Sequence, residues 1–181
     1  MHQFFSKYFS SINQCITDVD DALLLSAASL IAQSHAKGGK IIFVGNGGSA
    51  AMASHLSVDL TKAAAIRSIN FNEADLLTCF ANDYGYENWV AKALEAYADI
   101  NDVVVLISSS GKSLNIINGV TSARRIGIPV ITLSGFGADN PLKKLGDVNF
   151  WADSHAYNVV EMTHHVWLLA VADYLIFQQE N

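Results

Sequence analysis

Short, unbroken apolar runs alternating with helical stretches constrain this chain more than any other feature. Residues 40–44 (KIIFV), 102–107 (DVVVLI) and 128–133 (IPVITL) are apolar without polar alternation, and 147–151 (DVNFW) and 65–70 (AIRSIN) are weaker examples. A strand apolar on both sides must be covered on both faces. Helical patterns fill the intervals, at residues 49–63, 73–81, 84–98, 113–126 and 157–178. Two more come first, 2–19 and 20–37, the second with Asp20 or Asp21 at its start and Gly38-Gly39 as its stop. This alternation predicts a doubly wound αβα sandwich on a parallel sheet. At 181 residues the expected organisation is one domain, 1–181, with N-terminal helices over 1–37 and an α/β core over 38–181.

With 51% hydrophobic and 15% charged residues the chain has the composition of a packed domain and not of a disordered one. Eleven Lys and Arg against seventeen Asp and Glu leave a formal charge of −6, and no basic run exceeds Lys143-Lys144 or Arg124-Arg125, which disfavours nucleic acid as a partner. No basic start followed by an apolar stretch reads as an export signal, and no eighteen consecutive residues are apolar, so a cytoplasmic chain with no membrane partner is expected. Cys15 and Cys79 lie in helical apolar patterns and are expected as buried thiols. The last helix is apolar nearly all round, more than one sheet face can cover, so homo-oligomerisation through helices 2–19 and 157–178 is expected.

In open α/β sheets ligands sit beyond the carboxyl ends of the strands. Two turns stand out there. Gly45-Asn46-Gly47-Gly48-Ser49-Ala50 follows KIIFV and opens a helix, where glycines allow close approach and free N–H groups favour an anion. Gly45, Gly47 and Ala50 satisfy a dinucleotide pattern, but no acidic residue ends the next strand, so no nucleotide cofactor is expected. Ser108-Ser109-Ser110-Gly111-Lys112-Ser113 follows DVVVLI; it ends like a P-loop but has Leu106 where that motif needs glycine. What remains is four hydroxyls, Lys112 and a helix start, which suits a phosphate monoester. The plainer reading of each turn is helix capping.

GNGGSAAMASHLSVDL together with ISSSGKS resembles the sugar isomerase (SIS) domain, and within it the phosphoheptose isomerases that act on sedoheptulose 7-phosphate. KGGKIIFVGNGGSA, CFANDYGYENWV, DVVVLISSSGKSLNII, IPVITLSG and the Glu161-centred last helix extend the similarity over most of the chain. The resemblance implies a five-stranded parallel sheet between helices, a homotetramer with sites between subunits, and a phosphosugar held by Asn46, Gly47, Gly48, Ser49, Ser108, Ser109, Ser110 and Ser113. It also implies that Asp83, in a segment Asn82-Asp83-Tyr84-Gly85 read as a turn, reaches the sugar.

His55 and Asp59 are spaced i, i+4 on one helix face. In the family the residue matching His55 is a zinc ligand, and a glutamate matching Asp59 is both ligand and base. On the last helix the family's glutamine ligand and histidine acid fall on Val160 and Leu168, and its arginine after helix 49–63 falls on Ala63, with Lys62 beside it. That helix offers Glu161, His164 and His165 instead. The expected site therefore has Asp59 as base, His165 or His164 as acid, and a divalent metal, zinc, on His55, Asp59, Glu161 and His165. Two functional readings follow: an aldose–ketose isomerase of heptose biosynthesis taking sedoheptulose 7-phosphate to glycero-manno-heptose 7-phosphate, or a non-catalytic phosphosugar-binding or assembly module, as in replication-initiation regulators. Val160 and Leu168 favour the second, and His55, Asp59, Glu161 and His165 the first.

Overall fold

The structure, a computed structural model, describes residues 2–180; Met1 and Asn181, the ends of the expected 1–181 domain, lie outside the described residues. The elements in chain order are α1 (His2–Thr17), α2 (Asp21–Ala36), β1 (Ile41–Val44), α3 (Gly48–Lys62), β2 (Ser68–Asn70), α4 (Ala74–Tyr84), α5 (Trp89–Tyr97), β3 (Val103–Ser108), α6 (Leu114–Ile126), β4 (Val130–Ser134), a 3-10 turn (Pro141–Lys144), β5 (Val148–Trp151) and α7 (Tyr157–Glu180). The strands form one sheet in the order β2-β1-β3-β4-β5, every pair parallel.

The apolar runs become fully buried strands because side chains alternate between two covered faces. Val103, Val105 and Ile107 pack with Phe43, Leu56, Leu133, Phe150 and Trp167 under α2, α3 and α7. Val104 and Leu106 pack with Ile42, Trp89, Leu94, Ile116 and Val120 under α5 and α6. Asp20 caps α2 by accepting from Ala22 N at 2.9 Å, and α6 ends on left-handed Gly127.

α1 lies outside the sandwich, tied down at its C-terminal end where Trp167 Nε1 donates to the Ile16 carbonyl at 2.9 Å. Its Phe4, Phe5 and Phe9 are exposed. Cys15 is buried as expected, but Cys79 is exposed: α4 has no buried residue, and its cysteine lies on the side facing away from α5 and the sheet. By length and composition α7 could cross a membrane, yet half of its most apolar window is buried in protein.

Asp102 anchors the amino end of the sheet. It is 0% exposed and accepts from Lys40 N at 2.8 Å, Lys40 Nζ at 2.6 Å and Asp99 N at 2.8 Å, so one carboxylate joins the starts of β1 and β3. Asp102→Ala orphans two backbone donors, Lys40 N and Asp99 N, and leaves the Lys40 ammonium with Asp99 alone; a loss of about 3 kcal/mol is expected in urea denaturation.

Candidate functional site

β1 sends its chain to the β2 edge and β3 sends its chain toward β4, so the loops after these neighbouring strands diverge and leave a cleft between them. A cavity of ≈ 250 Å³ occupies it, lined by Asn46, Gly47, Gly48 and Ser49 from the first loop, Ile107, Ser108, Ser109, Ser110 and Ser113 from the second, and Tyr157 and Glu161 from α7. Two helices open on this cavity, α3 capped by Gly47 and α6 by Ser113, and neither cap makes a side-chain hydrogen bond to its helix. Ser49 N and Ala50 N already donate to the Asn46 and Gly47 carbonyls and Ile116 N to that of Ser113, so the positive dipole ends and the earliest amides, of Gly48, Leu114 and Asn115, are what is left for an anion. Ser108 Oγ donates to Ser113 Oγ at 3.0 Å, holding two of the hydroxyls together.

The eight loop residues expected to hold a phosphosugar are therefore brought together, but two other expectations change. Lys112 is exposed and does not line the cavity; its backbone N donates to Ser110 Oγ at 3.2 Å. The lining has no Lys or Arg, so hydroxyls, amides and helix dipoles, beside the Glu161 carboxylate, face an anion. Asp83 is not in the cavity either: residues 82–84 complete α4 instead of forming a turn, and Asp83 accepts from Asn82 Nδ2 on an exposed surface. The residue this segment does deliver is Tyr86, whose hydroxyl donates to Asn46 Oδ1 at 3.1 Å. Lys62 and Ala63 lie at the far end of α3.

α7 divides its polar residues between core and site. Val160, His164 and Leu168, spaced by four, form one buried stripe facing the sheet, and Val160 packs on Gly135. The positions of the expected glutamine and histidine thus belong to the core, which is why they are apolar. His164, expected as an acid, is 0% exposed and donates from Nε2 to the Ser134 carbonyl at 2.9 Å. Its Nδ1 has no partner among the described residues, and burial lowers its pKa to about 4, so it is neutral and structural.

The neighbouring stripe, Glu161 and His165, faces α3. Glu161 sits so close to the helix start that a Cβ on Gly48 would displace its carboxylate. Its carboxylate makes no hydrogen bond or ion pair with the described residues, and burial pushes it above the usual carboxylate range. One turn on, His165 Nε2 lies 2.8 Å from His55 Nδ1, and His55 Nε2 lies 3.2 Å from Asp59 Oδ2. Burial, then His55, lowers the His165 pKa.

As placed, these four residues do not form a zinc centre. Two imidazole nitrogens on one tetrahedral zinc stand about 3.3 Å apart, whereas His55 and His165 are at direct hydrogen-bond distance. Among the described residues no group of three or more His, Cys, Asp or Glu side chains is placed to hold a metal ion. The arrangement is a hydrogen-bonded chain: with His55 Nε2–H donating to Asp59, Nδ1 accepts from His165 Nε2–H and leaves His165 Nδ1 as an acceptor.

Comparison with known proteins agrees with this architecture. The sequence profile of the SIS domain matches residues 3–135. This chain belongs to the SIS domain family. A probable phosphoheptose isomerase of Thermoplasma acidophilum is 36% identical over 165 residues, 87% of this chain and 90% of that protein. The structure of phosphoheptose isomerase from Neisseria gonorrhoeae matches with a TM-score of 0.86 and 26% identity, over 96% of this chain and 98% of that one. At 17% identity the Vibrio vulnificus NanR protein, solved with ManNAc-6P, shares the fold with a TM-score of 0.67, over 97% of this chain and 62% of that one.

Three residues near this SIS site escape sequence reasoning: Tyr157, Asn115 and Tyr86. The signal that could have found Asn115 is its place two residues past Ser113, in the first turn of α6.

His164 makes stability depend on pH. An unfolded histidine takes a proton near pH 6.5, while this one waits until about 4. Between these values the unfolded chain binds more protons, so stability falls as the pH falls through that window, by about 3 kcal/mol in all. Urea denaturation across pH 4–7 should show this loss, and His164→Gln, which does not titrate, should flatten it.

Proposed function

We propose that this chain is a phosphosugar aldose–ketose isomerase acting on sedoheptulose 7-phosphate. The observation that carries the reading is an unpartnered, half-buried carboxylate, Glu161, standing over a cradle of hydroxyls and helix N-termini in one cavity. The cradle suits a phosphate, and the carboxylate suits proton transfer next to a carbonyl. The similarity to phosphoheptose isomerases supports the heptose as substrate.

In this reading Ser108, Ser109, Ser110 and Ser113, with the first amides of α6, hold the phosphate. Glu161 takes a proton from the carbon beside the carbonyl and returns it to the neighbouring carbon, and its raised pKa brings it nearer the pH at which it must do both. The positive end of α3, reaching the cavity at Gly48 and Ser49, stabilises the enediolate oxygen. Asp59, His55 and His165 form a hydrogen-bonded chain outside the cavity lining, one helical turn from Glu161, through which a proton can be relayed, with Asp59 orienting His55. Asp59 does not line the cavity, so Glu161 takes the role of base that the family resemblance assigned to Asp59.

A catalytic role also fits the burial of Val160 and Leu168, since apolar residues in the core are no sign of a lost site. A homo-oligomer is part of the proposal, supported by the exposed aromatics of α1 and by the apolar groove that Leu24, Leu25, Val171 and Tyr174 form between α2 and α7.

NMR of sedoheptulose 7-phosphate with the purified protein should show conversion to the aldose. Glu161→Gln should lower kcat by about 10²-fold or more, as expected for loss of a general base, and Asp59→Asn by about tenfold. An Asp59→Asn loss larger than that of Glu161→Gln would return the base to Asp59. Binding without turnover by the wild-type protein would leave the assembly-module reading.

A further inference from the structure

Phe136, between Gly135 and Gly137 in the loop after β4, holds a left-handed backbone at φ +58°. A bulky residue is seldom found in that region and persists there only where its surroundings over-determine it. Asn140, 1% exposed, donates from Nδ2 to the carbonyls on both sides of Phe136, Gly135 at 3.1 Å and Gly137 at 2.9 Å, and its Oδ1 accepts from Lys143 N at 3.0 Å. Gly135 N donates to the Ser109 carbonyl at 2.9 Å and Phe136 N to the Ser154 carbonyl at 2.9 Å. The loop is thus sewn to the serine turn on one side and to the approach to α7 on the other, with Phe136 fixed between them. A glycine would take the same backbone without strain, so what position 136 gains from phenylalanine is its ring.

That ring packs at the edge of the core and also meets Tyr157 edge to face, with centroids 4.8 Å apart and planes at 74°, while His155 stacks on it at 5.7 Å. Tyr157 opens α7 and lines the cavity while 60% exposed. Among the lining residues only Ile107 and Tyr157 carry large apolar side chains, and Ile107 is 0% exposed. Tyr157 is therefore the apolar surface that a ligand meets. The rest of the lining is hydroxyl, amide, glycine backbone and one carboxylate, none of which recognises carbon. A sugar phosphate differs from free phosphate by a carbon chain, whose C–H groups are attracted to the negative face of an aromatic ring.

We propose that Tyr157 is a specificity-determining residue that packs its ring on the carbon chain of a bound sugar phosphate, and that Phe136 is the positioning residue that holds this ring at the cavity rim. This rests on the phosphosugar reading of the cavity and adds to it the means by which the site tells a sugar phosphate from free phosphate.

Calorimetric titration of the full-length protein with sedoheptulose 7-phosphate and, separately, with inorganic phosphate gives two Kd values each for wild type, Tyr157→Ala, Tyr157→Phe and Phe136→Gly. Tyr157 is exposed, so its variants should fold. Tyr157→Ala should raise the Kd for the sugar phosphate about fivefold, the scale of one aromatic contact, and leave that for phosphate unchanged. Tyr157→Phe should match wild type on both ligands. Phe136→Gly should give part of the Tyr157→Ala effect, about twofold, again on the sugar phosphate alone, whereas a general loosening of the fold would move both values. An unchanged ratio of the two Kd values in Tyr157→Ala overturns the proposal, and a Tyr157→Phe loss as large as that of Tyr157→Ala overturns it in favour of a hydroxyl contact. An unchanged ratio in Phe136→Gly overturns the positioning role. A wild type that binds the two ligands alike fails the phosphosugar reading itself, whereas a wild-type preference for the sugar phosphate that survives in Tyr157→Ala fails the role of Tyr157 alone.

Discussion

Parallel pairing of β1 with β3, from Ile41 against Val103 to Val44 against Leu106, is the constraint on which core and cavity both depend. It places two strand ends side by side at the middle of the sheet and sends their chains to opposite edges, so that α3 and α6 start next to each other with their N–H groups converging. The same pairing is closed at its other end by the buried Asp102, which holds Lys40 and the first residues of β3 in register. The cavity is therefore a property of the strand order, and the side chains around it refine what that order has already opened.

α7 shows how one helix serves packing and chemistry together. Successive residues point about 100° apart, so Val160, His164 and Leu168 turn into the core while Glu161 and His165, each one residue further on than its neighbour in that stripe, turn toward α3. The core stripe fixes the helix on the sheet, and the fixed helix sets Glu161 over Gly48. A carboxylate held there meets little water and no cation, which raises its pKa; the same group on an exposed face would be an ordinary ionised glutamate.

Much of this was legible in the chain. Residues 40–44, 102–107, 128–133 and 147–151 all became strands with ends moved by one or two residues, because an apolar run flanked by turn residues leaves little alternative. Asp102 shows the limit of such reading: it belongs to the apolar run by position, but its carboxylate caps the sheet instead of extending it. The glycine and serine turns were legible for the same local reason, since strand, turn and helix start are contiguous. Lys112, Asp83 and Cys79 were not, because whether a polar side chain faces a cavity or solvent depends on the rotation of its element by less than one turn.

The order of elements, the burial of the sheet on both faces and the two anion-facing turns are determined by sequence alone, because each follows from interactions among residues a few positions apart. Tertiary structure decided which histidine is buried in the core and which meets His55, that Glu161 reaches the cavity while Asp59 stands behind His55, and that Asn46 is hydrogen-bonded to Asn115 and Tyr86. His55 and His165 are 110 residues apart in the chain. Their contact exists only because two helices lie at a particular rotation on one sheet, and that rotation is set by the whole core.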